Sequence, residues 1–207
     1  MKISELSQQT GASVATIKYY LREGLLPAGE RSAPNQATYD ETHVRRIHMI
    51  RALTDVGGLS VSDAKRVTNA IDGELPLTRA FEIAQSTVSE HVQTESLEAD
   101  ALAAVDEAVA GWACGPDDPG RLAAARVVTT LRQAGQGAEA PWLKAYAQAA
   151  ELVAEADLDL VDTRSDLASQ AETVVVGTVL GDTLFAALRR SAQAAATIRR
   201  YGDPGRS

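Results

Sequence analysis

Polar side chains with positive charge or aromatic rings recur in one short segment near the start of the chain. Lys18 and Arg22 could bring positive charge to phosphate groups, and Thr16 could approach the edges of bases. Tyr19 and Tyr20 carry large rings with polar tips, which could hydrogen-bond to flanking phosphates while part of each ring packs inward. This combination indicates nucleic-acid binding, although the same cations on an isolated helix would usually be a solvated surface.

The helix that would present these side chains has clear start and stop signals. Ser13 can cap its first turn and Gly24 can end it, so a helix is predicted over 14–23. A shorter helix capped by Ser4 precedes it, with Gly11 as the turn between them, which is the order of a helix-turn-helix. Apolar residues in the two helices recur at spacings that pack them together, namely Ile3, Leu6, Val14, Ile17, Leu21 and Leu25.

A hairpin and two further helices are predicted next. Residues 27–39 contain two prolines, a glycine and an asparagine, which predicts a loop or a hairpin, that is, a wing between helices. Asp40 then caps a third helix over 41–56. Ser60 starts a capping box for a fourth helix that ends near Ile71.

A domain boundary is predicted at 72–76, where glycine and proline coincide with a change in charge. Residues 1–71 carry 9 Lys/Arg against 7 Asp/Glu, whereas residues 72–207 carry 11 against 21. An acidic body with a mildly basic head is compatible with DNA binding, since the local field steers a protein to phosphate.

The body, residues 77–207, is predicted to be wholly helical. A heptad-like apolar stripe runs from Leu77 to Trp112, and polar residues in its middle allow two helices rather than one rod. Gly177 and Gly181, four residues apart, are predicted to allow close helix packing rather than to hold a phosphate. Further helices are predicted near 121–134, 139–157, 165–176 and 178–200.

Bulk composition excludes several other classes of protein. The chain has 207 residues, 45% of them hydrophobic and 23% charged, which is typical of a soluble globular protein. Cys114 is its single cysteine, so neither an internal disulfide nor a thiolate metal centre is expected. With no long apolar run and no secretion signal, we expect a cytoplasmic protein with no cofactor, no metal and no membrane partner.

Residues 1–71 resemble the DNA-binding domain of the MerR family of bacterial transcriptional regulators. Short stretches carry the resemblance, in chain order: Ile3-Ser-Glu-Leu6, Thr10-Gly11, Val14-Ala-Thr-Ile-Lys-Tyr-Tyr20, Gly24-Leu25-Leu26, Arg31-Ser32, Thr38-Tyr39 and Val56-Gly57. In the family, a tyrosine of the paired tyrosines and a wing arginine contact the DNA backbone. The resemblance therefore implies that role for Tyr20 and Arg31, although Tyr20 could instead be a core aromatic.

The wing departs from the commonest pattern of the family, which is Gly-Tyr-Arg-hydrophobic-Tyr. This chain has Asn35-Gln36-Ala37-Thr38-Tyr39, so the arginine expected at 37 is absent and one phosphate contact is lost. Asn35 and Gln36 can still donate hydrogen bonds. The predicted DNA-binding residues are Ser13, Thr16, Lys18, Tyr19, Tyr20, Arg22, Arg31, Asn35, Gln36, Thr38 and Tyr39.

The resemblance implies an all-α protein in which a winged helix-turn-helix with a small hairpin precedes a helical domain for dimerisation and effector sensing. It also implies a homodimer on near-palindromic promoter DNA, which distorts the duplex so that RNA polymerase can engage. With a cysteine-poor body, the expected effector is a small organic molecule. The aromatic residues of the body are either core residues or the lining of an effector pocket: Trp112, Trp142, Tyr146 and Phe185.

Two alternatives remain open. One is a repressor or architectural DNA-binding protein that responds to no effector. The other is a helical ligand-binding or enzymatic body with an auxiliary DNA-binding head. His43, His48 and His91 are the candidate general bases, but none lies near a serine or cysteine nucleophile motif, so no enzymatic activity is expected.

Overall fold

A computed structural model describes residues 1–33, 36–73, 75–89, 97–137 and 140–202. Asn35 and His91 lie outside these residues. The described chain is helical except for one two-stranded hairpin, so the predicted all-α fold with a winged head is confirmed. It forms two compact units, one of Met1–Asp72 with Val175–Ser207 and the other of Gly73–Val174.

The N-terminal part of the first unit has the order of elements that the sequence predicts, two helices, a hairpin and two more helices. Its elements are α1 (Ile3–Thr10), α2 (Val14–Glu23), β1 (Glu30–Ala33), β2 (Gln36–Thr38), α3 (Glu41–Arg51), a π-helical segment (Ala52–Val56) and α4 (Val61–Asp72).

The second unit contains the remaining helices, and the last of these continues into the first unit. Its elements are α5 (Leu77–Ser89), α6 (Ala99–Ala108), α7 (Pro119–Gln133), α8 (Ala140–Asp162) and the N-terminal end of α9 (Leu167–Tyr201).

Local capping residues explain where α2 begins and ends. The Ser13 hydroxyl oxygen accepts a hydrogen bond from the Thr16 amide at 3.0 Å, and Gly24 closes the helix in the left-handed conformation with φ 73°. Only glycine adopts that conformation without strain, which is why a glycine stands there. The predicted bounds of α2 are confirmed.

The predicted start of α1 at a Ser4 cap is wrong. Lys2 precedes the first helical residue, and Ser4 lies within the first turn. The backbone amide of Lys2 donates to the Glu5 carboxylate at 2.6 Å, so the glutamate satisfies a free amide at the helix start.

Asp40 caps α3 as predicted, since its carboxylate accepts hydrogen bonds from the Thr42 and His43 amides at 3.0 and 3.3 Å. Hydrogen bonds from the side chains of Thr42 and His43 hold the pKa of Asp40 well below its usual value. The predicted helix over 41–56 continues to Val56, but its last five residues are π-helical rather than α-helical. Gly57 then ends it, and its amide donates to the Ala52 carbonyl at 2.9 Å.

A single apolar core supports the head. Leu6, Ile17 and Leu25 are fully buried in it, as the spacing predicts, together with residues of the later helices: Leu26, Ile47, Ile50, Leu53 and Val67. The other predicted core positions, Ile3, Val14 and Leu21, are half-buried.

Two arginines tie the head elements together. The Arg46 guanidinium donates to the Leu25 carbonyl at 2.9 Å and to both carboxylate oxygens of Asp72 at 3.0 and 2.6 Å. Arg51 donates to the Thr10 carbonyl at 3.1 Å, at the end of α1. Arg46 and Arg51 both lie on α3, so these contacts hold the ends of α1, α2 and α4 against α3.

The C-terminal part of α9 belongs to the same unit as the head. Val175 and Val179 are buried, and the Thr183 hydroxyl donates to the Val56 carbonyl at 3.5 Å. A Cβ on Gly57 would stand 2.3 Å from a methyl of Val179. The residue at position 57 must therefore be glycine for α9 to pack this closely. This packing of α9 beside the end of the π-helical segment is a feature that the sequence did not predict.

The heptad-like stripe that begins at Leu77 is divided between two helices. α5 ends at Ser89, and Glu98 takes an extended conformation before α6 begins at Ala99. A cluster of Ala101, Val105, Ala125 and Val128 forms the core between α6 and α7. Arg121 on α7 donates to both carboxylate oxygens of Asp106 on α6, and this contact lowers the pKa of Asp106.

The two helices predicted over 165–176 and 178–200 are one continuous helix, α9. Gly177 does not break it, because an interior glycine costs only about 1 kcal/mol relative to alanine. A Cβ on Gly177 or Gly181 would meet no atom within 4 Å, so the close packing predicted at these glycines is not found within the described chain.

By length and composition, α9 is also the one described helix that could cross a membrane. The sequence predicts no membrane span, since it has no uninterrupted apolar run of that length. The signal is weak, because core helices meet the same criterion and Val174, Val175 and Val179 of α9 are buried inside the protein.

Candidate nucleic-acid interface

The outer face of α2 is formed by Ala15, Lys18 and Arg22, which are exposed, with Thr16 and Tyr19 half-buried beside them. Ile17 lies on the opposite face and is fully buried. The face therefore combines two cations, a hydroxyl and a phenol on one rigid helix, which is a suitable surface for phosphates and base edges.

Weak local contacts position these side chains. The Arg22 guanidinium lies 5.1 Å from the centroid of the Tyr19 ring and 3.2 Å from the Glu23 carboxylate. The hydroxyls of Ser13 and Thr16 are 2.8 Å apart, and either can be the donor. Since Arg22 has an exposed side chain, its contact with Glu23 is easily exchanged for a phosphate.

Tyr20 lies on the inner face of α2 and is only 7% exposed. Burial raises the pKa of its phenol, and the side chains of Asp55, Arg51 and Thr54 lie near it. Of the two roles that the sequence left open for Tyr20, this placement favours the core aromatic. Its side chain therefore lies beside the π-helical segment.

We expect Tyr20→Ala to lower the free energy of unfolding by about 3 kcal/mol, because it removes a buried aromatic ring and leaves a cavity. DNA affinity should change less than for a substitution of Lys18. Thermal unfolding and a DNA titration of the same sample would check both. Unchanged stability with a large loss of affinity would instead place the phenol against DNA.

The wing is an antiparallel pair of strands. Glu30 lies opposite Thr38 and Arg31 opposite Ala37, with an irregularity between Arg31 and Ala33. Arg31, Gln36 and Thr38 are exposed. The wing therefore presents one cation and two hydrogen-bonding side chains to solvent.

The base of the wing is anchored to the start of the chain. The N-terminal ammonium of Met1 donates to the Tyr39 carbonyl at 2.6 Å, and the Tyr39 amide donates to the Met1 carbonyl at 2.8 Å. The Tyr39 ring is buried and meets the His43 ring edge-on at a centroid distance of 5.2 Å. Tyr39 thus holds the wing in place, and whether it also contacts DNA stays a prediction.

Lys65 is a further cation near this face, and it is not among the residues predicted from the sequence. It is exposed on α4, and its ammonium lies 3.7 Å from the point where a Cβ on Gly24 would stand, at the end of α2. Only the packing of α4 beside α2 reveals this proximity, so no local sequence signal could have found it. Lys65 adds positive charge to the same neighbourhood as Arg22.

The four aromatics considered for an effector site are partly exposed. Trp112, Trp142, Tyr146 and Phe185 expose 39, 40, 39 and 37% of their surface, which is more than a core residue does. The Trp142 and Tyr146 rings pair at 4.5 Å on α8. An effector role for these residues stays a prediction.

The catalytic and metal alternatives gain no support from the geometry. His43 Nδ1 lies 2.7 Å from the Asp40 carboxylate, so this histidine takes part in capping α3. Over the described ranges, no three His, Cys, Asp or Glu residues lie together in a way that could hold a metal ion.

Comparison with known proteins gives matches to the head of the chain. The profile of the MerR helix-turn-helix family of regulatory proteins matches residues 1–71. The nodulation protein NolA of Bradyrhizobium sp. (strain NC92) is 39% identical over 77 residues, 37% of this chain and 31% of that protein. The transcriptional regulator ZntR homolog of Haemophilus influenzae is 35% identical over 69 residues, 33% of this chain and 50% of that protein. The chain thus spans a third to a half of these curated relatives.

One solved structure matches nearly the whole chain. It is the crystal structure of SCO5550, a candidate transcriptional regulator from Streptomyces coelicolor A3(2), with 31% identity and a TM-score of 0.68. The match covers 98% of this chain and 99% of that one.

The fold and the exposed face of α2 define a protein with a winged helix-turn-helix head. The matches specify this class further. Residues 1–71 belong to the MerR helix-turn-helix family of regulatory proteins.

Proposed function

We propose that the protein regulates transcription by binding promoter DNA as a homodimer, with α2 in the major groove and the wing against the neighbouring backbone. The observation that carries this proposal is the exposed Lys18–Arg22 face of α2, held rigid by the buried core beneath it. A helix of this size fits the major groove, and exposed cations replace the counterions of the phosphates.

The proposed binding mode assigns different tasks to the two elements. Lys18, Arg22 and Arg31 contact phosphates, with Lys65 added from α4, and Thr16 is placed to approach base edges. Contacts to phosphates fix the position of the head on the duplex, while base contacts carry the sequence preference.

We further propose that promoter binding distorts the duplex and assists RNA polymerase, under the control of a small organic effector. Bending a site of this kind costs on the order of 1–6 kcal/mol, so the effector must favour one conformation by a comparable amount. The partly exposed aromatic pair of Trp142 and Tyr146 supports an apolar effector, because such rings are suited to stacking.

The wing gives a testable prediction about DNA affinity. Arg31→Ala should lower operator affinity by about tenfold, uniformly across DNA sequences, because a phosphate contact is lost. The slope of log affinity against log salt should become shallower by about 1. Glu30→Ala is the matched control in the same strand, and it should not weaken binding. Equal affinity for Arg31→Ala and the unchanged protein would exclude Arg31 from the interface.

The proposed function is tested by mapping where the purified full chain protects DNA upstream of its own gene. We expect a protected region with approximate twofold symmetry, bound more tightly than unrelated DNA of equal length. Equal binding to all DNA would favour an architectural protein, and absence of binding would refute the proposal.

The role of the body is tested with the same protein and a library of metabolites. A ligand that binds only the folded state must raise its melting temperature, and an effector must also change operator affinity. Stabilisation with chemical conversion of the ligand would indicate an enzyme, and the lack of any stabilising ligand would favour a regulator without effector.

A further inference from the structure

One exposed position on the outer face of α2 carries no polar side-chain group. Ala15 is exposed near the start of the helix, whereas the other exposed residues of this face, Lys18 and Arg22, are cations. Ile17 lies on the opposite face and is fully buried, so the core of the head is built without Ala15. The Ala15 methyl group is therefore free to contact whatever molecule the face of α2 binds.

Ala15, Lys18 and Arg22 lie on one stripe of the helix. They are separated by steps of three and four residues, which places their side chains on the same side of α2. With a rise of about 1.5 Å per residue, Ala15 stands about 10 Å from Arg22 along the helix axis. The stripe is therefore apolar at its N-terminal end and cationic toward its C-terminal end.

The first turn of α2 is held in place by hydroxyl groups on either side of Ala15. The Ser13 hydroxyl oxygen accepts a hydrogen bond from the Thr16 amide at 3.0 Å and lies 2.8 Å from the Thr16 hydroxyl. These contacts use part of the hydrogen-bonding capacity of both hydroxyls within the protein. Because the turn is capped in this way, the Ala15 methyl has a fixed position relative to Lys18.

The major groove of DNA offers an apolar partner on one kind of base. Adenine, guanine and cytosine present hydrogen-bond donors and acceptors there, whereas thymine also presents its C5 methyl group. A side-chain methyl placed against a donor or acceptor removes that group from water without replacing its hydrogen bond, which costs free energy. Against the thymine methyl, the same side chain removes apolar surface from water, which is favourable.

We propose that Ala15 contacts the C5 methyl group of a thymine at a fixed position in each half-site of the operator and thereby selects thymine there. The inference rests on the proposed function and specifies the base that the N-terminal end of α2 prefers. In helix-turn-helix proteins, the N-terminal residues of the second helix contact base edges, and Ala15 stands at that end. Lys18 and Arg22 then continue along the stripe toward the phosphates.

Replacement of thymine by uracil tests the proposal, because the two bases differ only in the C5 methyl group. The operator found by protection mapping is synthesised with deoxyuridine in place of thymidine at one symmetry-related pair of positions at a time. Loss of one methyl contact should lower the affinity about fourfold per half-site, and so about 15-fold for the pair. Titration of each labelled DNA with the full chain measures the affinity, and we expect this loss at one pair of positions.

Ala15→Gly gives the decisive comparison. Without a methyl group at residue 15, the variant should bind the thymine and uracil operators equally at the positions where the unchanged protein discriminates. Both affinities are measured with one protein sample, so any effect of glycine on helix stability cancels in their ratio. Ala103→Gly, the same change at an exposed position of α6, is the matched control and should keep the full discrimination.

The outcomes separate this inference from the proposed function. If the unchanged protein protects its operator but tolerates uracil at every thymine, Ala15 does not select thymine, and the proposed function stands. The same conclusion follows if Ala15→Gly discriminates as strongly as the unchanged protein, because another group would then contact the methyl. If the unchanged protein protects no DNA, the proposed function is refuted and this inference is refuted with it.

Discussion

Reversing both charges on the outer face of α2, with Lys18→Glu and Arg22→Glu, should abolish operator binding while the fold remains intact. Two charge-assisted contacts at about 1.5 kcal/mol each are lost, and two carboxylates are placed against phosphates, so affinity should fall about 100-fold or more. Both residues are exposed, so the free energy of unfolding should change by less than about 0.5 kcal/mol.

The measurement is a titration of labelled operator DNA at several salt concentrations, with thermal unfolding of the same samples. Arg79→Glu with Arg132→Glu changes the net charge by the same amount outside the head and should retain most of the affinity. If the α2 variant still bound the operator like the unchanged protein, α2 would not be the recognition helix. If the control lost as much affinity, net charge rather than this face would explain the binding.

Gly57→Ala should destabilise the protein by about 1–3 kcal/mol, the usual cost of overpacking a filled core. The added methyl would stand 2.3 Å from a Val179 methyl and 2.7 Å from the Leu53 carbonyl oxygen. The backbone at Gly57 has φ −76°, which alanine adopts freely, so the expected loss comes from the contact and not from strain.

Thermal unfolding checks this prediction, since each kcal/mol lowers the melting temperature by about 2–4 °C in a protein of this size. Gly115→Ala is the control, because a Cβ there meets no atom within 4 Å. An unchanged melting temperature for Gly57→Ala would mean that α9 does not pack against this glycine in solution.

Local signals made the bounds of α2 predictable. Ser13 and Gly24 act on amides and carbonyls within one turn of themselves, so the bounds of α2 follow from the sequence. The burial of Tyr20 did not follow in the same way. Its neighbours Tyr19 and Leu21 are only half-buried, and the burial of Tyr20 depends on residues far away in the chain, Arg51, Thr54 and Asp55.

At three positions a local sequence preference did not decide the structure. Ser4 is a good cap residue, but Glu5 can satisfy the free amide of Lys2, so α1 begins at Ile3. Gly177 is a poor helix former, yet the rest of α9 outweighs it. The proximity of Lys65 to the end of α2 depends on tertiary packing, which no spacing in the sequence encodes.

The π-helical segment at Ala52–Val56 has a consequence for how relatives align with this chain. A π turn holds one residue more than an α turn, so a helix that contains one is equivalent to a regular helix with a single-residue insertion. Relatives whose third helix is regular should therefore align with a one-residue gap at this point. In those relatives, the residue equivalent to Gly57 would be rotated away from its position beside Val179. A residue larger than glycine could then be accommodated there.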